Sequence, residues 1–213
     1  NERLENPFVK EKPLFIISAS NKAKYKDQLP VGQLALLDRY PEVTKAVRVR
    51  YTDEVLMVQD DQRFFEKGLI YADSTFFDLF AFPFAEGDPK KALEEPNAVV
   101  ITPEVAQKYF GEKPAIGQTL LLDGDRPLTV TGVLAAAPQQ SHVDFSMVVS
   151  FSTFVVPQGY PVTLESWGWI SFQTYVQLAN GTSKEEMEAK LPAFFTDNFG
   201  QDRAGKAALR LQP

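Results

Sequence analysis

Cysteine is missing altogether from these 213 residues. Its absence removes disulfides, thiolate metal sites and cysteine nucleophiles together, and it fits an oxidising compartment where a stray thiol is a liability. Histidine occurs once, which leaves a single candidate for imidazole chemistry and a poor basis for a transition-metal site. Basic charge is short. Lys and Arg number 22 against 28 Asp and Glu, giving a net charge of −6 and a pI near 5.0, the wrong balance for a phosphate backbone. The nearest thing to a basic patch, Lys45, Arg48 and Arg50, is interleaved with Val47, Val49 and Tyr51 and reads as the wet face of a strand. No apolar run approaches the roughly 18–20 residues that span a bilayer. The longest, LFIIS and MVVSFSTFVV, are strand-sized. The chain begins at Asn1 with no charged-then-apolar leader, which reads as a segment cut from something longer.

What is present is ordinary globular composition, 44% hydrophobic and 23% charged, enough to bury a proper core. PLFIISAS (13–20) reads as a strand, NKAKYKDQLP as a loop, and VGQLALLDRYPEV as a short helix placed by Leu34, Leu37 and Val43 and ended by Pro41. VTKAVRVRY (43–51) alternates as a second strand. The middle then turns strand-rich: EVLMVQ, RFFEKGLIYA, AVVIT, QTLLLD and PLTVTGVLAAA are separated by turn chemistry such as DD, EGDP and DGDRP. One clear helix stands there, PEVAQKYF, with Thr102 as its N-cap, Pro103 at its first position and Gly111 at its end. Val105, Ala106, Tyr109 and Phe110 are its sheet-facing residues. In the last third SFQTYVQLA (171–179) alternates as a strand. Ser183 and Glu186 form a capping box at the head of SKEEMEAKLPAFFTDNF, and AALRLQP closes the chain as a strand. The expectation is an α+β fold. A split β-α-β subdomain is drawn from both chain ends, 1–52 and 152–213, around an inserted strand-rich subdomain with one helix, 53–151.

Chemistry is hard to find. NAVVITPEVAQKYFG has the strand–turn–helix form of an anion cradle. However, its turn carries no glycine, and five residues rather than four separate Gly111 from Gly117, with no lysine after the second. No G-x-S-x-G elbow occurs. In SHVDF, His142 and Asp144 share a strand face that Ser141 leaves, so no serine–imidazole pair forms. The acidic pairs Asp60-Asp61, Glu94-Glu95 and Glu185-Glu186 fall at turns or helix starts and read as solvation and capping. Asp123 and Asp125 resemble the opening of a calcium loop, but Pro127 and Leu128 stand where ligands should follow. No catalytic residue, metal ligand or cofactor site emerges. Aromatics are abundant, 17 Phe, 7 Tyr and 2 Trp. FFDLFAFPF (76–84) reads mostly as core, with Phe76, Phe77 and Phe80 at helical spacing. Trp167 and Trp169, beside Phe172 and a glycine-containing loop, are candidates for an exposed partner contact.

The ordered series Asp73, Phe76, Phe77, Gly87-Asp88-Pro89, Pro96, Thr102, Tyr109-Phe110-Gly111, Gly117, Gly132 and His142 runs nearly unbroken from about Tyr71 to Phe151. It resembles the periplasmic core domain of MacB/FtsX-type ABC transporter permeases. The flanks, 1–60 and 152–205, match only in pattern. The resemblance implies a porter-like α/β part from the chain ends with a strand-rich insert. It also implies location on the extracytoplasmic face of a bacterial inner membrane, anchored by transmembrane helices that this sequence does not contain. Implied too are a cytoplasmic ATPase, motion transmitted through the helices to a non-catalytic domain, and contact with substrate or with a periplasmic protein or lipoprotein. A homodimer would belong to the intact permease only. The alternative is a freestanding periplasmic ligand-binding domain with its pocket around Trp167–Tyr175.

Overall fold

The computed structural model describes residues 14–19, 29–30, 35–138, 143–154, 170–199 and 209–212. The first elements are β1 (Leu14–Ala19), β2 (Leu29–Pro30), α1 (Ala35–Arg39), β3 (Val43–Tyr51), β4 (Val55–Gln59), β5 (Gln62–Glu66) and β6 (Leu69–Ala72). Next come α2 (Phe76–Leu79), β7 (Phe84–Gly87), β8 (Ala98–Ile101), α3 (Pro103–Phe110), β9 (Thr119–Leu122) and β10 (Arg126–Leu134). The last are β11 (Met147–Ser150), a 3₁₀ turn at Phe151–Thr153, β12 (Ile170–Leu178), α4 (Lys184–Phe199) and β13 (Leu209–Gln212). This is a mixed α/β chain, rich in strands and sparing in helices, and it divides into two compact units.

One unit takes its described residues from Glu11–Arg50 and Val155–Pro213, so both flanks of the chain contribute. Its strands run β13-β1-β12-β3, all antiparallel, with β2 on β12. Leu14 pairs Gln177 and Ile16 pairs Gln212, so β1 begins and β13 ends at the same end of the sheet. Met187, Leu191, Phe194 and Phe195 recur at helical spacing along α4 and are all buried, a stripe that covers the sheet. With them pack Phe15, Ile17, Leu36, Val176, Leu178 and Leu211. In α1 the buried residue is Leu36, while Leu37 lies at the core's margin; Leu34 is outside the described residues. At the head of α4 the Ser183 N–H donates to Glu186 Oε2 at 2.9 Å and the Glu186 N–H to Ser183 Oγ at 3.1 Å, the reciprocal capping box. The Leu211 N–H donates to Glu188 Oε1 at 2.8 Å, tying α4 to the last strand.

The other unit spans Tyr51–Phe154 among the described residues. Its sheet runs β6-β11-β8-β10-β9-β4-β5, with β7 also on β10. The three strands β6, β8 and β11 are buried at every residue, which explains their continuous apolar spelling. β8 lies parallel to β10, and β6 to β11. Helix α3 buries Val105, Tyr109 and Phe110. Two expectations are corrected here. RFFEKGLIYA is not one strand, because Gly68 adopts φ +81° and breaks it into β5 and β6. MVVSFSTFVV is a strand for four residues only, after which the 3₁₀ turn begins. A second helix, the single turn α2, precedes α3 and buries Phe76, Phe77 and Leu79.

Candidate functional site

The described signature residues fall in turns, caps and core contacts. Phe76 sits amid aromatic partners, its ring 5.0 Å from Phe77, 4.9 Å from Phe80 and 5.7 Å from Phe145, separations at which edge and offset contacts are favourable. The Phe76 N–H donates to the Asp73 carbonyl, opening the turn into α2. Gly87 and Gly132 face each other across β7 and β10. Gly87 has φ +93°, and a Cβ there would collide with the Thr131 carbonyl oxygen and lie 2.9 Å from Gly132 Cα. A Cβ on Gly132 would stand 2.5 Å from the Phe84 ring. The two backbones therefore approach as only glycine allows. Asp88 accepts from the Lys90 N–H at 3.0 Å, a local turn, while Pro89 and Pro96 are exposed. Thr102 caps α3, its Oγ1 accepting from the Val105 N–H at a long 3.5 Å. At the far end the Gly111 N–H donates to the Gln107 carbonyl with Gly111 at φ +59°. The Gly117 N–H donates to the Val130 carbonyl at 2.8 Å. His142, Trp167 and Trp169 lie outside the described residues; Phe172 and Tyr175 of β12 are fully enclosed.

What the sequence reading missed lies where the last turn of α3 meets β5. Glu66 Oε1 accepts from Lys108 Nζ and from the Tyr109 hydroxyl, both at 2.6 Å. Lys108 Nζ also stands 4.2 Å from the centre of the Phe64 ring, which meets Tyr109 edge-on at 5.6 Å, a cation–π and aromatic set. Burial first, and then the bond to Glu66, pushes the Tyr109 hydroxyl far above its ordinary value, so it stays protonated and serves as a donor. The cluster locks an outer strand to the covering helix. Beside it opens a groove of about 490 Å³ lined by Gln59, Gln62, Gln107, Gln118, Lys108 and Lys113 among others. A second of about 450 Å³ lies across Gly111–Lys113, against Ala85, Pro103 and Val133. The first presents amides, the Lys113 ammonium and the Asp60 carboxylate, a polar lining of mixed charge. Only the run of Lys108-Tyr109 beside Phe110 hinted at it; Glu66 is 43 residues away from Tyr109. Among the described residues no group of three or more His, Asp or Glu stands as a metal cage. No helix among them is long and apolar enough to cross a membrane.

Comparison with known proteins gives this geometry its setting. The chain matches the family described as MacB-like periplasmic core domain over residues 3–194. Its fold is similar to a domain assigned to a permease protein of Porphyromonas gingivalis. There the TM-score is 0.78 at 22% identity, covering 95% of this chain and 93% of that one. It is also similar to the periplasmic region of MacB from Actinobacillus actinomycetemcomitans, with TM-score 0.68, 14% identity and coverage of 96% and 89%. A third similar fold is the extracellular domain of the noncanonic ABC-type transporter YknZ from Gram-positive bacteria, with TM-score 0.64, 16% identity and coverage of 94% and 100%. A 42-residue stretch is 52% identical to the uncharacterized protein PA3922 of Pseudomonas aeruginosa, covering 20% of this chain and 9% of that protein's length. The α+β fold expected from the sequence, strand-rich with few helices, is the one these domains share. The chain belongs to the MacB-like periplasmic core domain family, an extracytoplasmic module of bacterial ABC transporter permeases.

Proposed function

We propose that this domain transmits ATP-driven motion within an ABC transporter permease and meets substrate or a partner protein. In this reading residues 1–52 and 152–213 form the porter-like part that receives the movement, and 53–151 form the insert that delivers it. One observation carries the proposal: β1 begins and β13 ends at the same end of one antiparallel sheet, with Ile16 opposite Gln212. Transmembrane helices continuing from both ends would meet that sheet side by side, so a relative shift of the two helices would load it directly. A cytoplasmic ATPase supplies the energy, and the domain itself performs no chemistry. The cluster at Glu66, Lys108 and Tyr109 stiffens the insert.

The test uses the full-length transporter with its ATPase. A flexible Gly-Ser insertion of about six residues directly after Gln212 is expected to leave ATP hydrolysis intact while abolishing transport or partner output. Unchanged output would overturn the proposal, since a tethered ligand-binding module does not need a stiff connection.

A further inference from the structure

Strand β5 ends its sheet, pairing among the described strands with β4 alone. The register runs unbroken from Gln59↔Gln62 to Val55↔Glu66. QRFFE contains neither proline nor glycine, so neither a bulge nor a proline blunts this edge. Across a two-residue turn the flanking strand residues exchange both backbone hydrogen bonds, and bonded pairs alternate along the ladder. The turn here is Asp60-Asp61, so Gln62, Phe64 and Glu66 direct their backbone groups to β4. Arg63 and Phe65 turn theirs outward. Phe65 is 70% exposed and Phe64 37%, a costly display for an edge with no occupant. The Phe64–Glu66 face of the strand is tied to α3 by the Glu66 bonds to Lys108 and Tyr109, which leaves Phe65 on the opposite face.

We propose that this edge pairs with the same edge of a second copy, antiparallel and two-fold symmetric about Phe64. The charge pattern selects both the occupant and the register. Centred on Phe64, Asp61 of each copy faces Lys67 of the other, Arg63 faces the Phe65 ring, Gln62 faces Glu66, and Phe64 meets its counterpart. Opposite charges thus pair twice, and each guanidinium meets an aromatic face. Centred on Arg63 instead, two arginines abut and Asp60 faces Glu66. Centred on Phe65, Arg63 faces Lys67. A slip of one residue sets the two pleats against each other. Of the three registers centred on Arg63, Phe64 and Phe65, only that on Phe64 is free of like-charge pairs, and in it the outward-turned groups of Arg63 and Phe65 form bonded pairs. The interface is isologous and small, suited to association that is weak in solution and reinforced by shared anchoring.

Because the chain contains no cysteine, a single introduced thiol reports the register. At position 64 the counterparts form a non-bonded pair with Cα atoms about 4.5 Å apart, within disulfide reach, whereas at position 63 they sit on a diagonal about 7–8 Å apart. Purified Phe64→Cys is expected to form a disulfide dimer roughly tenfold faster than Arg63→Cys under the same mild oxidation. Equal rates overturn the proposal. A surface test avoids disturbing Phe64: sedimentation equilibrium on Asp61→Lys and on Lys67→Asp should each show self-association weakened roughly tenfold. The double swap should recover it, and failure of that recovery also sinks the two-fold register. If Phe64→Cys in the full-length protein instead cross-links to a different protein, the edge belongs to a partner's strand and not to a second copy.

Discussion

Among the described glycines, Gly87 has the least freedom to change. Its φ of +93° disfavours any side chain, and the space a Cβ would need is already filled by the Thr131 carbonyl and Gly132 Cα. Both obstacles are backbone, which cannot rotate out of the way. Gly87→Ala should therefore destabilise the chain by about 2 kcal/mol or more. Gly132→Ala should cost less, since it meets the edge of the Phe84 ring, a side chain able to turn. Denaturant titration of the two variants would settle the order, and an equal loss would contradict the close-approach account. Tyr109 offers a second test. Tyr109→Phe keeps the ring against Phe64 but removes the donor to Glu66, leaving Lys108 as its partner. A loss of about 1 kcal/mol is expected, that of one hydrogen bond. None of this was legible at the residue scale in the sequence. Gly87 and Gly132, like Glu66 and Tyr109, are brought together by strand register and helix placement, which no local spacing encodes.

Elements were read more surely than contacts because their signals are local. Thr102, Pro103 and Gly111 bound α3 in sequence as they do in space, and Ser183 with Glu186 announce α4. Asp123 and Gly124, both at positive φ, make the turn between β9 and β10 that their spelling suggests. The errors came where one apolar run held two elements: Gly68 in RFFEKGLIYA, and the 3₁₀ turn after β11. A lone glycine inside an apolar run is read as tolerated unless the packing around it is known; here Ser146 stands close enough that a Cβ would lie 3.0 Å from its nitrogen. Two predictions belong to α4. The Ser183 backbone N–H and then its hydroxyl hold Glu186 below its ordinary value of 4.5, and Lys190 does the same for Glu42. Depressed carboxylates stabilise above the unfolded value, and that stability is lost as pH falls through the folded one. Glu186→Gln should thus be less stable than the parent at pH 7, with the gap closing below pH 4.5. Urea midpoints at pH 7 and about pH 3 would show it, and a gap independent of pH would refute the cap's ionic part. Pro192 lies inside α4 and cannot donate to the preceding turn. Pro192→Ala should raise stability by about 1–3 kcal/mol in thermal unfolding.

For the whole molecule, each unit has its own buried core, and the one built from the chain's flanks depends on α4. Phe194 is almost wholly enclosed among Tyr40, Leu191 and the sheet, so Phe194→Ala should cost about 3–5 kcal/mol. Hydrogen exchange in β12 and α4 should accelerate with it. The two-part division expected from the sequence rests on the contrast between strand-rich spelling in the middle and β-α-β spelling at both flanks. The order of the strands was not legible there, because β1 meets β12 and β13 only through the fold. That pairing has a consequence for the order in which the chain can fold. Everything in Tyr51–Phe154 is in hand once residue 154 has emerged, and its sheet can assemble while the rest is still being made. β1 has no such early partner, for Leu14 must wait for Gln177 and Ile16 for Gln212. At about 5–20 residues per second, the first strand spends on the order of ten seconds bare, its Phe15 and Ile17 unburied. The earliest of the described strands is thus among the last to be covered.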